Sequence, residues 1–366
     1  MLPWIDALRG LAILMVLANH VALVVPGLSA PVQTLARFGQ MGVQLFFVAS
    51  AYTLCLSWQQ RRQGEANAVM GFLLRRFFRI APLYYLGIAV FAALHFSQNG
   101  PVVAAPYTAA NVGANLLFVH GFVPAAQNSI VPGGWSIGVE MAFYALFPLL
   151  MRAQTVFSDR DTALAATVLS AVAALGLNLW MQAAMAGTVA NNSPAYFHPL
   201  NQLPVFLIGM ALFQWQRHAA APRLWVVGIF GVASFVATAL LWRSGWPLAF
   251  AVVPSTAGLA FAALASVASR LPLRWSHGLP ARLCLVGRLS FAIYVIHVLF
   301  AWHALRPLAV AGTWQGDAAY LAALAAVTLL SCIAAIGLAR WIEQPGIALG
   351  RALIRALPSS VPVGTR

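Results

Sequence analysis

The chain has 366 residues, of which 61% are hydrophobic and 8% charged; soluble domains carry about 25% charged residues, so a soluble fold is excluded and a polytopic membrane protein is indicated. The formal charge of +14 comes from 21 basic residues, all arginine, against seven acids. The arginines sit in short stretches between apolar runs, the pattern that orients a membrane protein rather than one that binds nucleic acid. Uninterrupted apolar runs of roughly 17 to 25 residues fit membrane helices and exclude a β-barrel, whose short strands alternate.

The first run, 7–25, carries Arg9 and His20 eleven residues apart, with Asp6 just before it. That spacing puts Arg9 and His20 on one helix face, roughly 16 Å apart along the axis. Asp6, one turn before Arg9, is within reach of pairing with it near the inner surface. The run lacks a convincing cleavage site and is expected to stay as the first span. A second span covers 39–58. The third, 80–97, follows Arg75, Arg76 and Arg79, with Pro82 read as part of its first helical turn. Three guanidinium groups beside a helix N-terminus suit a phosphate, although arginines also gather on inner loops for topological reasons.

Residues 112–123 are apolar but too short to cross, and read as a re-entrant helix ending near His120. The span at 135–151 holds Glu140, with Ser136 and Tyr144 four residues to either side on the same face. Entering from outside, it puts Glu140 one to two turns below the outer surface, at a depth compatible with His20. Further spans lie at 163–184, 200–216, 224–242, 247–268, 283–303 and 319–341. Within 283–303, Tyr294 and His297 are one turn apart; Glu343, past the last span, reads as an inner-surface cap or an arginine partner.

With the N-terminus in the cytoplasm, the arginine-rich connections all face inward, and only Arg37, Arg243 and Arg306 remain outside. The expected fold is therefore all-α, about ten transmembrane helices plus one short re-entrant helix, with both termini cytoplasmic. Residues 1–350 form one membrane domain and 351–366 a short, frayed cytoplasmic tail. Cys55, Cys284 and Cys332 make neither a disulfide framework nor a metal site, and no nucleotide or zinc motif is present, so no metal is expected.

An ionisable side chain inside a membrane marks a functional site by default. His20 suits a general base or a transient acyl carrier. Glu140 suits a charge partner for that imidazole, or a base in its own right. A helix-to-helix bond is the bland alternative for both. Ser136 has no nucleophile elbow around it.

Six stretches, in order, resemble the membrane acyltransferase-3 family of O-acyltransferases. They are Ile5-Asp6-Ala7-Leu8-Arg9-Gly10 with His20, Gly42 to Ser50, Arg75 to Tyr84, Trp135 to Tyr144 with Phe147-Pro148, Ser290 to His297, and Trp341 to Pro345. The resemblance covers nearly the whole chain. It implies a ten-span fold with acyl-CoA docking from the cytoplasm and the acceptor on the far side. Arg76 and Arg79, helped by Arg75, would contact the CoA phosphates. His20 and Glu140 would be the essential pair, with Arg9 in support. Ser136, Tyr144 and His297 are expected as further supporting side chains. The family's usual Ser-Gly-Phe is Ser50-Ala51-Tyr52 here, which removes a close-packing glycine. No hydrolase domain is fused, so this chain is expected to finish transfer alone or with a partner.

The expected function is transfer of an acetyl or short acyl group from acetyl-CoA, or another acyl-CoA, to a hydroxyl of an extracytoplasmic or lipid-linked glycan at the bacterial inner membrane. The rival is a transporter or flippase for an anionic or polyprenyl-linked solute, against which stands the lack of internal repeats and paired broken helices.

Overall fold

The computed structural model describes residues 2–62, 65, 67–99, 105–154, 159–185, 187–217, 222–307 and 314–357. Among them there is no strand. The helices are α1 (Pro3–Ala22), α2 (Ala30–Phe38), α3 (Gly42–Arg61), α4 (Ala68–Asn99), α5 (Ala109–Leu116), α6 (Trp135–Gln154), α7 (Arg160–Met185), α8 (Pro194–Phe197), α9 (Pro199–Trp215), α10 (Leu224–Arg243), α11 (Ala249–Arg270), α12 (Gly278–Arg288), α13 (Ser290–Val298), α14 (Gly316–Leu338) and α15 (Gln344–Ala356). Alternation of long apolar runs with short arginine-bearing breaks produces this order, since only helices satisfy every backbone group inside a bilayer.

Among the described residues, eight helical segments are long and apolar enough to cross a membrane, and a ninth forms if α12 and α13 count as one span, bent by 69°. The tenth expected span is α9, which has 17 residues; at about 1.5 Å per residue it is roughly 25 Å long, a little short of the hydrocarbon core. Among the helices long and apolar enough to cross, α1, α3 and α11 are the most enclosed. α7, α10 and α14 turn large apolar side chains outward, among them Trp180, Phe230 and Leu321, as a lipid-facing shell does.

Glycine sets the closest helix contact. A Cβ on Gly287 would lie 1.7 Å from the Asp6 carbonyl oxygen, and one on Gly10 would lie 2.2 Å from that of Leu283. α1 and α12 thus touch backbone to backbone, the small-residue mode of membrane packing. Between α3 and α9 the missing family glycine at Ala51 has a counterpart. A Cβ on Gly209 would meet the Ala51 methyl at 2.7 Å, so the space is supplied from the facing helix.

Three expectations change. α4 begins at Ala68 rather than near 80, so Arg75, Arg76 and Arg79 lie within a helix and not beside its N-terminus, and Pro82 stands in its interior. The terminal helix runs past Gly350 to Ala356, while residues 358–366 of the expected tail lie outside the described residues. The α12–α13 span is bent, and a π-helical segment, Leu299–Leu305, continues it.

Residues 105–134 fold inward as a short capped unit. Thr108 caps α5 by accepting from the Asn111 N–H, and Phe118, in the left-handed region at φ 59°, ends the run and reverses the chain. His120 follows in a single 3-10 turn and is fully buried. The segment does not form a crossing helix, as its length predicts.

Candidate active site

α1, α3, α4 and α15 enclose a cavity of about 430 Å³. Six arginines line it (Arg9, Arg61, Arg75, Arg76, Arg79 and Arg351) against one acid, Asp6. Leu2 and Arg351 share its wall, which puts both described ends of the chain on one face of the molecule. Asp6 does not pair with Arg9; its carboxylate lies 4.0 Å from Arg288, across the α1–α12 contact.

The three clustered arginines differ in what already holds them. Arg75 makes a two-pronged pair with Glu65, so an acid of the protein answers its charge. Arg76 lies over the faces of Phe72 (5.5 Å) and Tyr144 (5.8 Å), and its buried Nε has no partner. Among the described residues, neither Arg76, Arg79 nor Arg9 donates a hydrogen bond to the protein. Three guanidinium groups with free donors, one of them held by aromatic faces, form a receptor for a multiply charged anion such as a phosphate.

Arg9, Arg76 and Arg79 also line a narrower chamber of about 60 Å³, together with Ser50, Ser136, Glu140, Tyr144 and Tyr294. The Glu140 carboxylate oxygen Oε1 accepts from Ser50 Oγ at 2.7 Å and from Tyr144 OH at 2.5 Å. Tyr144 is the same-face neighbour that helical spacing predicts. Ser50 is not, because it arrives from α3 and no local pattern in the sequence links it to α6. Ser136, also on the Glu140 face, turns instead to Tyr294, with 2.7 Å between the two hydroxyl oxygens. Tyr294 OH in turn donates to the Gly133 carbonyl at 2.8 Å.

Glu140 therefore shares a chamber with Arg9. The start of α6 is covered, with Trp135, Ser136 and Ile137 all buried, Trp135 against Phe47 of α3 and Tyr196 and Phe197 of α8. His120 holds the residue just before it: its Nε2 donates to the Gly134 carbonyl at 2.9 Å, and its ring stacks on Tyr84.

No hydrogen bond joins His20 to Glu140 among the described residues. The partner of His20 is His297, whose Nε2 lies 3.0 Å from His20 Nδ1. The same Nδ1 lies 3.0 Å from the Val16 carbonyl, one turn back on α1. His297 is fully buried, and its Nδ1 lies 2.8 Å from the Tyr294 carbonyl and 3.2 Å from that of Ile293. The edge of Trp302 forms another side of the His20 pocket, 6.4 Å between ring centres. Tyr294 connects the two regions: its hydroxyl is in the chamber wall, and its ring centre is 5.8 Å from that of His297.

Glu343 is neither a surface cap nor an ion-pair partner among the described residues. It is buried at the end of the π-helical turn Ala339–Glu343, with Oε2 unpartnered. Among the described residues no group of three or more His, Cys, Asp or Glu is placed to hold a metal ion.

The family model described as an acyltransferase domain, Acyl_transf_3, matches residues 2–337. Among curated relatives, acyltransferase MdmB of Streptomyces mycarofaciens is 30% identical over 159 residues, covering 41% of this chain and 39% of the relative. Peptidoglycan O-acetyltransferase OatA of Listeria monocytogenes is 26% identical over 162 residues, covering 41% of this chain and 24% of the relative. The matched stretches thus span well under half of either relative. No solved structure matches the chain.

Proposed function

The chain belongs to the acyltransferase-3 family, and from that premise we propose that it is an integral membrane acyltransferase that moves an acetyl or short acyl group from acyl-CoA, bound on the arginine-bearing cytoplasmic face, to a hydroxyl of a glycan presented from the other side. One observation carries this reading. Arg9, Arg76 and Arg79 belong both to the six-arginine cavity and to the chamber walled by Tyr294, whose ring centre is 5.8 Å from that of His297. A donor with a polyphosphate head and a thin arm matches a wide cationic entrance that narrows sharply. The nucleotide and phosphates stay among the arginines, and the arm enters the chamber. Arg9 and His20 are about 16 Å apart along α1, so the arm has to lie extended, with its thioester near the imidazole.

The reaction is then an ordinary acyl transfer. His20 Nε2 accepts the proton of the acceptor hydroxyl as its oxygen attacks the thioester carbonyl. The C–S bond breaks, and the leaving thiolate takes the proton from the imidazolium, giving the ester and free CoA thiol. Glu140, expected beside the imidazole, has a different part here. It holds Ser50 and Tyr144 and sets a negative charge beside three unpaired arginines, positioning the chamber wall. The name of the Listeria relative supports a glycan hydroxyl as acceptor.

The test uses purified protein in proteoliposomes, with acetyl-labelled CoA on the arginine face and soluble peptidoglycan fragments on the other. Base-labile label in the glycan is expected, and its loss in His20→Ala by a factor of about 10² to 10⁴, the usual worth of a general base. Unconsumed acetyl-CoA alongside movement of an anionic solute would replace this reading with transport.

A further inference from the structure

The two imidazoles leave little freedom in where their protons sit. A neutral imidazole carries one N–H and one lone pair, and the hydrogen bond at one nitrogen decides the role of the other. His297 Nδ1 faces only carbonyl oxygens, those of Tyr294 and Ile293. Carbonyls accept and do not donate, so this nitrogen carries the proton and His297 Nε2 offers a lone pair. That lone pair points at His20 Nδ1, 3.0 Å away. His20 Nδ1 also faces the Val16 carbonyl at 3.0 Å. Both neighbours of His20 Nδ1 are therefore acceptors, and the proton of His20 lies on Nδ1. His20 Nε2 has no partner among the described residues, and the side chain is partly buried while His297 is fully buried.

We propose that His297 is the positioning residue of the transfer: by accepting from His20 Nδ1–H it fixes the tautomer that leaves His20 Nε2 as the lone pair facing the acceptor hydroxyl. The inference rests on the acyl-transfer reading above. His297 fills the place that a carboxylate takes behind the histidine of hydrolase triads. A neutral partner has a consequence that suits this setting. A carboxylate would form a permanent ion pair in the membrane, whereas a second imidazole holds the ring in place without adding charge. The order of groups along α13 makes this possible, since Tyr294 serves the chamber through its hydroxyl while its backbone carbonyl fixes His297 one turn further on.

The test separates this claim from the function it rests on. Nitrogen-15 NMR of histidine-labelled protein in nanodiscs reads the tautomer directly. In the wild type, His20 is expected as the Nδ1–H form with Nε2 unprotonated. His20 found as the Nε2–H form in the wild type would overturn the proposal, whatever the activity. In His297→Leu the Nε2–H form should become populated, and kcat should fall about 10²-fold with the KM for acetyl-CoA unchanged. In His297→Gln the side-chain amide can donate to Tyr294 while its oxygen accepts from His20, so at least tenfold of that loss should return. A tautomer unchanged in His297→Leu, or a Gln variant no better than Leu, contradicts the positioning role. A wild type that shows the Nδ1–H tautomer yet never transfers acyl groups would sink the enzymatic reading and leave the hydrogen-bond assignment intact. If His297→Leu does not fold, the wild-type spectrum and the Gln variant decide.

Discussion

Glu140, Ser136, His20 and His297 are each held by a specific partner, and those partners predict graded losses. The Glu140 carboxylate takes two hydroxyl donors, from Ser50 and Tyr144, on one oxygen. Glu140→Ala strands both donors in a buried place and removes the nearby anion from the arginines. A stranded buried donor costs about 1–3 kcal/mol, so this variant should melt well below wild type. Ser50→Ala removes a single donor and leaves Tyr144 in place, with an expected loss of about 1 kcal/mol. Equal melting temperatures for the two variants would contradict the arrangement. His20, Glu140 and the arginines are legible in the sequence because a titratable group stands out against an apolar run. Their partners are not. Sequence spacing reports which residues share a helix face, and so it found Tyr144. It carries no information on which helix lies opposite, and so it missed Ser50 on Glu140 and the contact of His297 with His20.

Among the helices, length and composition made the spans readable, and the exceptions have physical causes. The start of α4 was missed because its first turns are interrupted by Arg75, Arg76 and Arg79, which look like a loop to a hydropathy reading yet are good helix formers. Pro82 reads as a helix start in sequence and stands inside one here, as membrane helices tolerate. The bend between α12 and α13 leaves no mark in an apolar run. Close packing is equally invisible until the partner is known, and the α1–α12 contact gives the sharpest prediction. A methyl on Gly287 has nowhere to go, with the Asp6 carbonyl oxygen at 1.7 Å. Gly287→Ala should push the two helices apart and lower stability by about 1–3 kcal/mol, as overpacking does. A methyl on Gly337 of α14 meets nothing within 4 Å, and Gly337→Ala should leave the melting temperature close to wild type. Similar losses for both would show that α1 and α12 are not in backbone contact.

Over the whole molecule, charge and topology agree. The chain folds so that arginines from its beginning, its middle and its final helix converge on one cavity, although they are separated by up to 342 positions in sequence, from Arg9 to Arg351. Arg9, Arg76 and Arg79 are shared with the narrower chamber, whose wall includes Tyr294 beside His297. The inner bias of basic residues and the needs of an anionic donor thus point to the same face. The central claim is that this face binds acyl-CoA through Arg76 and Arg79 while His20 acts later. Equilibrium binding of labelled acetyl-CoA to the protein in nanodiscs tests it most directly, comparing wild type, His20→Ala and the double variant Arg76→Ala/Arg79→Ala. Hydrogen bonds to charged groups contribute about 1.5–3 kcal/mol each, so the double variant should bind at least roughly 100-fold more weakly, with His20→Ala close to wild type. Binding that survives loss of both arginines, or a folded wild type that does not bind acetyl-CoA, would contradict the account.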